Sequence, residues 1–212
     1  MIFSIIYQSI NCNFMVKKPL KVGFDLDGVI LYNPARLARP LIALFKRLIL
    51  HKKKVSFYLP KTDIEKAFWR LFHKSSIFVA PGFDEIKKMA KKGEIEAYII
   101  TARYDFLKDD FESWLDKIQA KKYFKGCYYN KKNEQPNVFK ERLIRQLKLD
   151  VFIEDNWDIV KYLKAKISAK GRSSFGRKNH NLKVFWVYNM LDKGINYPYK
   201  FPSLSKALTE LI

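Results

Sequence analysis

Three short apolar runs in this chain each end in acidic or hydroxyl side chains, and that repetition limits the possible folds more than any other feature. Leu20 to Phe24 leads into Asp25-Leu26-Asp27-Gly28-Val29, and Ala97 to Ile100 leads into Thr101-Ala102-Arg103. Leu149-Asp150-Val151-Phe152-Ile153 leads into Glu154-Asp155-Asn156. Short apolar runs bounded by turn signals read as strands buried on both faces. Strand-like runs fall near 20–25, 96–101, 126–129, 150–154 and 183–188, with helical patterns between most of them. This alternation predicts an α/β fold: a doubly wound, mostly parallel sheet with right-handed crossovers and helices on both faces. Such sheets hold ligands at the carboxyl ends of their strands, where the acids fall.

Asp25 and Asp27 stand where the first strand should stop. The Gly28 turn lets the two carboxylates fan around one centre, a site for a metal ion and a phosphate. A carboxylate attacks phosphorus only when a cation cancels its repulsion with the anionic substrate, and a second acid must protonate the departing oxygen. Asp25 suits the first role and Asp27 the second. Thr101 offers its hydroxyl to a phosphate oxygen, and Asp155 can complete an oxygen shell around magnesium. Lys140, on a helix predicted over about Asn137 to Lys148, can neutralise both the nucleophile and the transferring group. Each has a plainer reading alone: acids capping turn amides, a threonine capping a helix, and one lysine among 41 Lys plus Arg. Their order and shared placement at strand ends favour one site.

Asp25-x-Asp27-Gly28-Val29, Ile100-Thr101-Ala102-Arg103, Lys140 and Ile153-Glu154-Asp155-Asn156 resemble the four ordered motifs of the haloacid dehalogenase-like (HAD) phosphatases. The resemblance spans Lys21 to Tyr188. It implies that Asp25 forms an aspartyl-phosphate and that Asp27 is the general acid that later activates water. It implies that Thr101, Ala102 and Lys140 bind the phosphate, and that Asp25, the Asp27 main-chain carbonyl and Asp155 hold Mg2+. Glu154 stands where many relatives have a second Asp, and would hold a metal-bound water or orient Lys140. The Pro81-Gly82 lead into a helix and the Thr-Ala-Arg ending look like the branch containing 5'(3')-deoxyribonucleotidases, although nucleotidases often carry Ser or Pro after the hydroxyl. The expectation is a magnesium-dependent phosphomonoester hydrolase acting on a nucleoside monophosphate or similar small phosphoester. The alternatives are a sugar-phosphate or polynucleotide-end phosphatase, and a basic nucleic-acid-binding protein on a HAD scaffold.

The stretch between the first two strands is too long for a single crossover. Leu37, Leu41, Ile42, Leu44, Phe45, Leu48 and Ile49, then Ile64, Ala67, Phe68, Leu71 and Phe72, recur at helical spacing. Residues 31–80 therefore read as a helical cap inserted into a core of 16–30 and 81–212, with Pro34, Pro40, Pro60 and Pro81-Gly82 as hinges. The resemblance implies a lid that excludes water and selects the substrate. Residues 1–15 read as an extension, because Met15-Val16-Lys17-Lys18-Pro19 offers a second start just before the first strand.

At 212 residues and 48% apolar, the chain can bury a substantial core plus a small accessory unit. Cys12 and Cys127 fit neither a zinc site nor a disulfide framework, and point to a reducing cytoplasm. No apolar run reaches the roughly 18 residues needed to span a bilayer, so no membrane partner is expected. A net charge of +20 favours anionic partners: a small phosphorylated substrate, or nucleic acid contacted through the basic cap and the loop over 164–183. Phe57, Tyr58, Trp69 and Phe175 could stack on bases, or pack within the lid itself. A generally lysine-rich composition accounts for the charge more simply. His51, His73 and His180 lack ligand spacing and read as surface residues. Asp158 fits a helix N-terminus through the dipole better than a metal shell.

Overall fold

The computed structural model describes residues 18–32, 57–74, 76, 78–169, 182–189 and 192–211. Its strands are β1 (Leu20–Phe24), β2 (Leu31–Tyr32), β3 (Phe78–Val79), β4 (Ile95–Tyr104), β5 (Phe124–Asn130), β6 (Val151–Glu154), β7 (Lys183–Val187) and β8 (Lys200–Phe201). Its α-helices are α1 (Asp63–Lys74), α2 (Phe83–Lys91), α3 (Lys108–Lys117), α4 (Pro136–Leu147), α5 (Trp157–Ala169) and α6 (Leu204–Thr209). Six strands make one sheet in the order β5-β4-β1-β6-β7-β8, with every neighbouring pair parallel.

Successive strand residues enter opposite layers. Val22 and Phe24, Ala97 and Ile99, Val151 and Ile153, and Phe185 and Val187 pack with α2, α3 and α6. Tyr98 and Ile100, Phe152, and Val184 and Trp186 pack on the other face with α4 and α5. Both faces are covered, which is why these strands read as nearly unbroken apolar runs. At Gly23 the cover is tight: a Cβ there would lie 2.5 Å from Leu149 Cδ1 and 2.9 Å from the Phe152 ring.

Three features differ from the sequence expectation. β4 does not stop at Thr101 but continues to Tyr104, with a register shift against β5 between those residues. Thr101 and Arg103 therefore sit two apart on one strand and share a face. β8 extends the sheet at its edge, and two residues are too few for a periodic signal. The third is β2 and β3, which form an antiparallel ribbon pairing Leu31 with Val79 and Tyr32 with Phe78, and so join the two ends of the inserted stretch.

Within the insert, α1 begins with a capping box. The Thr62 hydroxyl accepts from the Glu65 amide at 3.3 Å, and the Glu65 carboxylate accepts from the Thr62 amide at 2.9 Å. The chain before α1 is tied to the core. Gln135 accepts from the Phe57 amide at 2.9 Å and donates to the Phe57 carbonyl at 3.3 Å, while the Tyr104 hydroxyl donates to the Tyr58 carbonyl at 3.1 Å. The apolar positions from Leu37 to Ile49, the extension over 1–15, the middle of the basic loop with Phe175, and His51 and His180 lie outside the described residues. Among the described residues, no helix is long and apolar enough to cross a membrane.

Candidate active site

The ends of β1 and β6 lie side by side, joined where the Asp25 amide donates to the Ile153 carbonyl at 2.9 Å. That pairing brings together acids that are far apart in sequence. One carboxylate oxygen from each of Asp25, Glu154 and Asp155 lies within 4.8 Å of the others, and all three side chains are buried. Gly28, at φ 93°, supplies the left-handed turn that takes the chain away from the acids. α4 directs Lys140 into the same cluster, with its ammonium 3.0 Å from Asp25 Oδ1 and 2.6 Å from Glu154 Oε2.

Glu154 is committed on both oxygens. Oε2 takes the lysine, and Oε1 accepts from the amides of Asp155 at 3.2 Å and Asn156 at 2.9 Å. It therefore orients Lys140 and fixes the turn that presents Asp155. Asp158 stands apart from the cluster. It is half exposed and pairs with Lys161 at 3.1 Å in the first turn of α5, as the dipole reading expects.

Asp27 occupies a second, adjoining cluster. The Arg103 guanidinium grips it with two bonds of 2.8 Å each, from Nε to Oδ2 and from Nη2 to Oδ1. The remaining Arg103 nitrogen bonds Asp110 of α3, which clamps the guanidinium from both sides. The Thr101 hydroxyl lies 3.5 Å from Asp27 Oδ2. Two more contacts come from the insert: the Ser76 hydroxyl at 3.2 Å, and His73 Nδ1 at 3.7 Å.

His73 thus departs from its expected place on the surface, because the last turn of α1 packs over Asp27. The neighbouring ring of Trp69 lies 6.4 Å from His73 and 6.1 Å from Tyr58, so these aromatics of the inserted stretch pack with each other. Sequence reasoning missed Arg103, Asp110 and Ser76 as site residues. Strand periodicity could have found Arg103, which stands two positions after Thr101. Nothing local marks Ser76 or Asp110. Ala102, between Thr101 and Arg103, is half buried on the alternate side of β4.

Burial raises the Asp25 carboxyl well above the usual range, and the adjacent Lys140 only partly offsets it. Glu154 is raised for the same reason. For Asp27, burial pushes the same way but loses to the Arg103 charge and hydrogen bonds, which hold the carboxyl well below its ordinary value. Four buried carboxylates, Asp25, Asp27, Glu154 and Asp155, face two buried cations, Lys140 and Arg103. Around Asp25, Glu154 and Asp155 the one buried cation among the described residues is Lys140, so ionisation of the cluster leaves excess negative charge that a divalent ion would offset. Hard carboxylate oxygens suit magnesium, so the donor set fits that ion.

The cluster is closed over: Asp25, Asp27, Thr101, Lys140 and Asp155 are each more than nine-tenths buried. A cavity of about 480 Å³ lies elsewhere, lined by Pro81, Phe83, Lys117 and Tyr123 among others.

No protein-family model and no curated protein sequence matches this chain. Solved structures do resemble it. CbbY from Rhodobacter sphaeroides in complex with phosphate aligns at TM-score 0.55 and 13% identity, covering 88% of this chain and 95% of that one. A HAD-superfamily hydrolase from Ehrlichia chaffeensis aligns at TM-score 0.50 and 11% identity, covering 92% and 97%. A dehalogenase with intermediate complex aligns at TM-score 0.50 and 12% identity, covering 92% and 98%. With its parallel sheet, its ordered motifs and these neighbours, the chain has the fold of the haloacid dehalogenase-like hydrolases.

Proposed function

We propose that this protein is a magnesium-dependent phosphomonoester hydrolase that works through an aspartyl-phosphate on Asp25. The observation that carries the reading is the buried cluster of Asp25, Glu154 and Asp155 at the ends of β1 and β6, with the Lys140 ammonium against it. Asp25 and Asp155, with the Asp27 main-chain carbonyl, would hold the ion, and Glu154, committed to Lys140 and two amides, would stand behind them. The ion when bound would cancel the repulsion between Asp25 and the phosphate. Lys140, anchored by Glu154, neutralises Asp25 and the transferring group. The Thr101 hydroxyl turns from Asp27 to a phosphate oxygen.

Arg103 sets the protonation of Asp27. Held in the ion pair, Asp27 is a carboxylate, the form that accepts a proton from the water attacking the phospho-enzyme. To protonate the departing oxygen in the first step, it must first leave Arg103 and take up a proton from solvent; having given that proton to the leaving oxygen, it is again the carboxylate that accepts one from the attacking water. A phosphate oxygen arriving beside Arg103 supplies the replacement partner. Admission of substrate also requires His73 of α1 and Ser76, which follows that helix, to withdraw.

The preferred substrate is a small phosphoester, with nucleoside monophosphates suggested by the motif resemblance. Sugar phosphates are supported by a neighbour: a second CbbY structure holds xylulose-(1,5)bisphosphate. The test is phosphate release from nucleoside monophosphates, sugar phosphates and oligonucleotide ends, with and without Mg2+. The expected result is Mg2+-dependent turnover that Asp25→Asn abolishes while the circular dichroism spectrum is unchanged. Turnover surviving in Asp25→Asn, or no release by the wild type from any substrate, would overturn the proposal.

A further inference from the structure

The first turn of α4 holds a polar group with no partner. Asn137 is 7% exposed, and its Oδ1 is buried without a hydrogen bond among the described residues. A buried amide oxygen left unsatisfied is destabilising, so it calls for a donor that enters from outside. Its position indicates which donor. Asn137 precedes Lys140 by three residues, so the two share a helix face about one turn apart. Lys140 reaches Asp25, where the phosphoryl group would sit. In the opposite direction, Gln135 at the start of α4 bonds the Phe57 backbone of the insert. Along α4, Asn137 therefore stands between Lys140, at the phosphoryl end of the proposed site, and the Gln135 contact with the insert. α4 has Pro136 in its first turn and no side-chain cap hydrogen bond.

We infer that Asn137 is a specificity-determining residue, whose amide oxygen accepts a hydrogen bond from a hydroxyl on the leaving group of the phosphoester. The inference rests on the hydrolase reading above. It narrows the substrate class to phosphomonoesters of hydroxylated carbon skeletons, such as polyols, sugars and nucleosides, in preference to bare alkyl esters. A substrate without the hydroxyl leaves Oδ1 as unsatisfied in the complex as it is in the free protein, whereas a hydroxylated one satisfies it.

The experiment compares glycerol phosphate with propyl phosphate, which differ only in the hydroxyls, on wild type, Asn137→Ala and Asn137→Leu. Wild type should favour glycerol phosphate in kcat/KM by about tenfold to a hundredfold, the range set by one buried hydrogen bond. Both variants should lose that preference and keep propyl phosphate turnover within about twofold. Asn137→Leu should also melt at or above the wild-type temperature, because it removes the unsatisfied oxygen; a residue with a merely structural role would melt lower. The inference is overturned if wild type shows no preference, if the variants retain it, or if both substrates fall in parallel. Failure of wild type to hydrolyse either ester or any other phosphoester would instead reject the hydrolase reading, and this inference with it.

Discussion

Replacing Arg103 with Met removes the guanidinium that holds Asp27 by two bonds, while keeping most of the aliphatic volume. Asp27 is then left almost fully buried with hydrogen bonds and only the imidazole of His73, 3.7 Å away, in place of the guanidinium. Breaking a buried ion pair from one side costs about 3–5 kcal/mol, because the surviving charge stays desolvated. For a chain of this size that is a fall of about 6–20 °C in melting temperature. Urea titration at pH 7 in the presence of a chelator reads the cost directly. The double variant with Asp27→Asn should recover most of it, since a neutral amide needs no cation.

The pH dependence of this variant has a defined sign. In wild type the Asp27 pKa is depressed below 3.8, so its contribution is present above that value and is lost as pH falls through the folded pKa. Without Arg103, burial dominates and raises the folded pKa. The contribution is then present below the unfolded pKa and is lost as pH rises, so the variant's deficit should shrink between pH 7 and pH 5. A cost under about 1 kcal/mol, or a deficit that ignores both pH and Asp27→Asn, would refute the argument.

Glu154→Gln should lower kcat by about tenfold to a hundredfold with the fold retained, since it loosens Lys140 without touching substrate; steady-state kinetics and near-ultraviolet dichroism check this. Added Mg2+ at about 100 times its dissociation constant should stabilise the wild type by about 2.7 kcal/mol, and Asp155→Asn should erase most of that gain in a thermal melt that needs no substrate.

The parallel sheet was legible because burial on both faces leaves little polar residue in Val22 to Phe24 or Val151 to Ile153. The acids were legible because motifs at strand ends keep their order in the sequence. α1 was legible as a helix but not in its orientation. Ile64, Phe68 and Leu71, the stripe that predicted it, are exposed at 84%, 66% and 68%, whereas Trp69 and His73 turn toward the core. Periodicity shows that a stripe exists; it does not say which neighbour lies under the other face. The grip of Arg103 on Asp27 was hidden for a related reason: it joins residues 76 positions apart and depends on how two strands register. A chain with 41 basic residues gives no local sign of which one will be buried.

The placement of Ser76 and His73 gives the closed state a chemical meaning. Both reach Asp27 from the insert, so covering the site and engaging the proposed acid are one event. A substrate that opens the lid breaks those contacts and desolvates its own phosphate, and only an anion that Arg103, Thr101 and Lys140 can take up in exchange repays both losses. A neutral molecule of the same size meets the same closed lid with nothing to offer the two cations. On the proposed function, selection for the phosphate group would therefore begin at entry, before Asp25 is within reach of phosphorus, and the leaving group would be read afterwards by whatever faces α4.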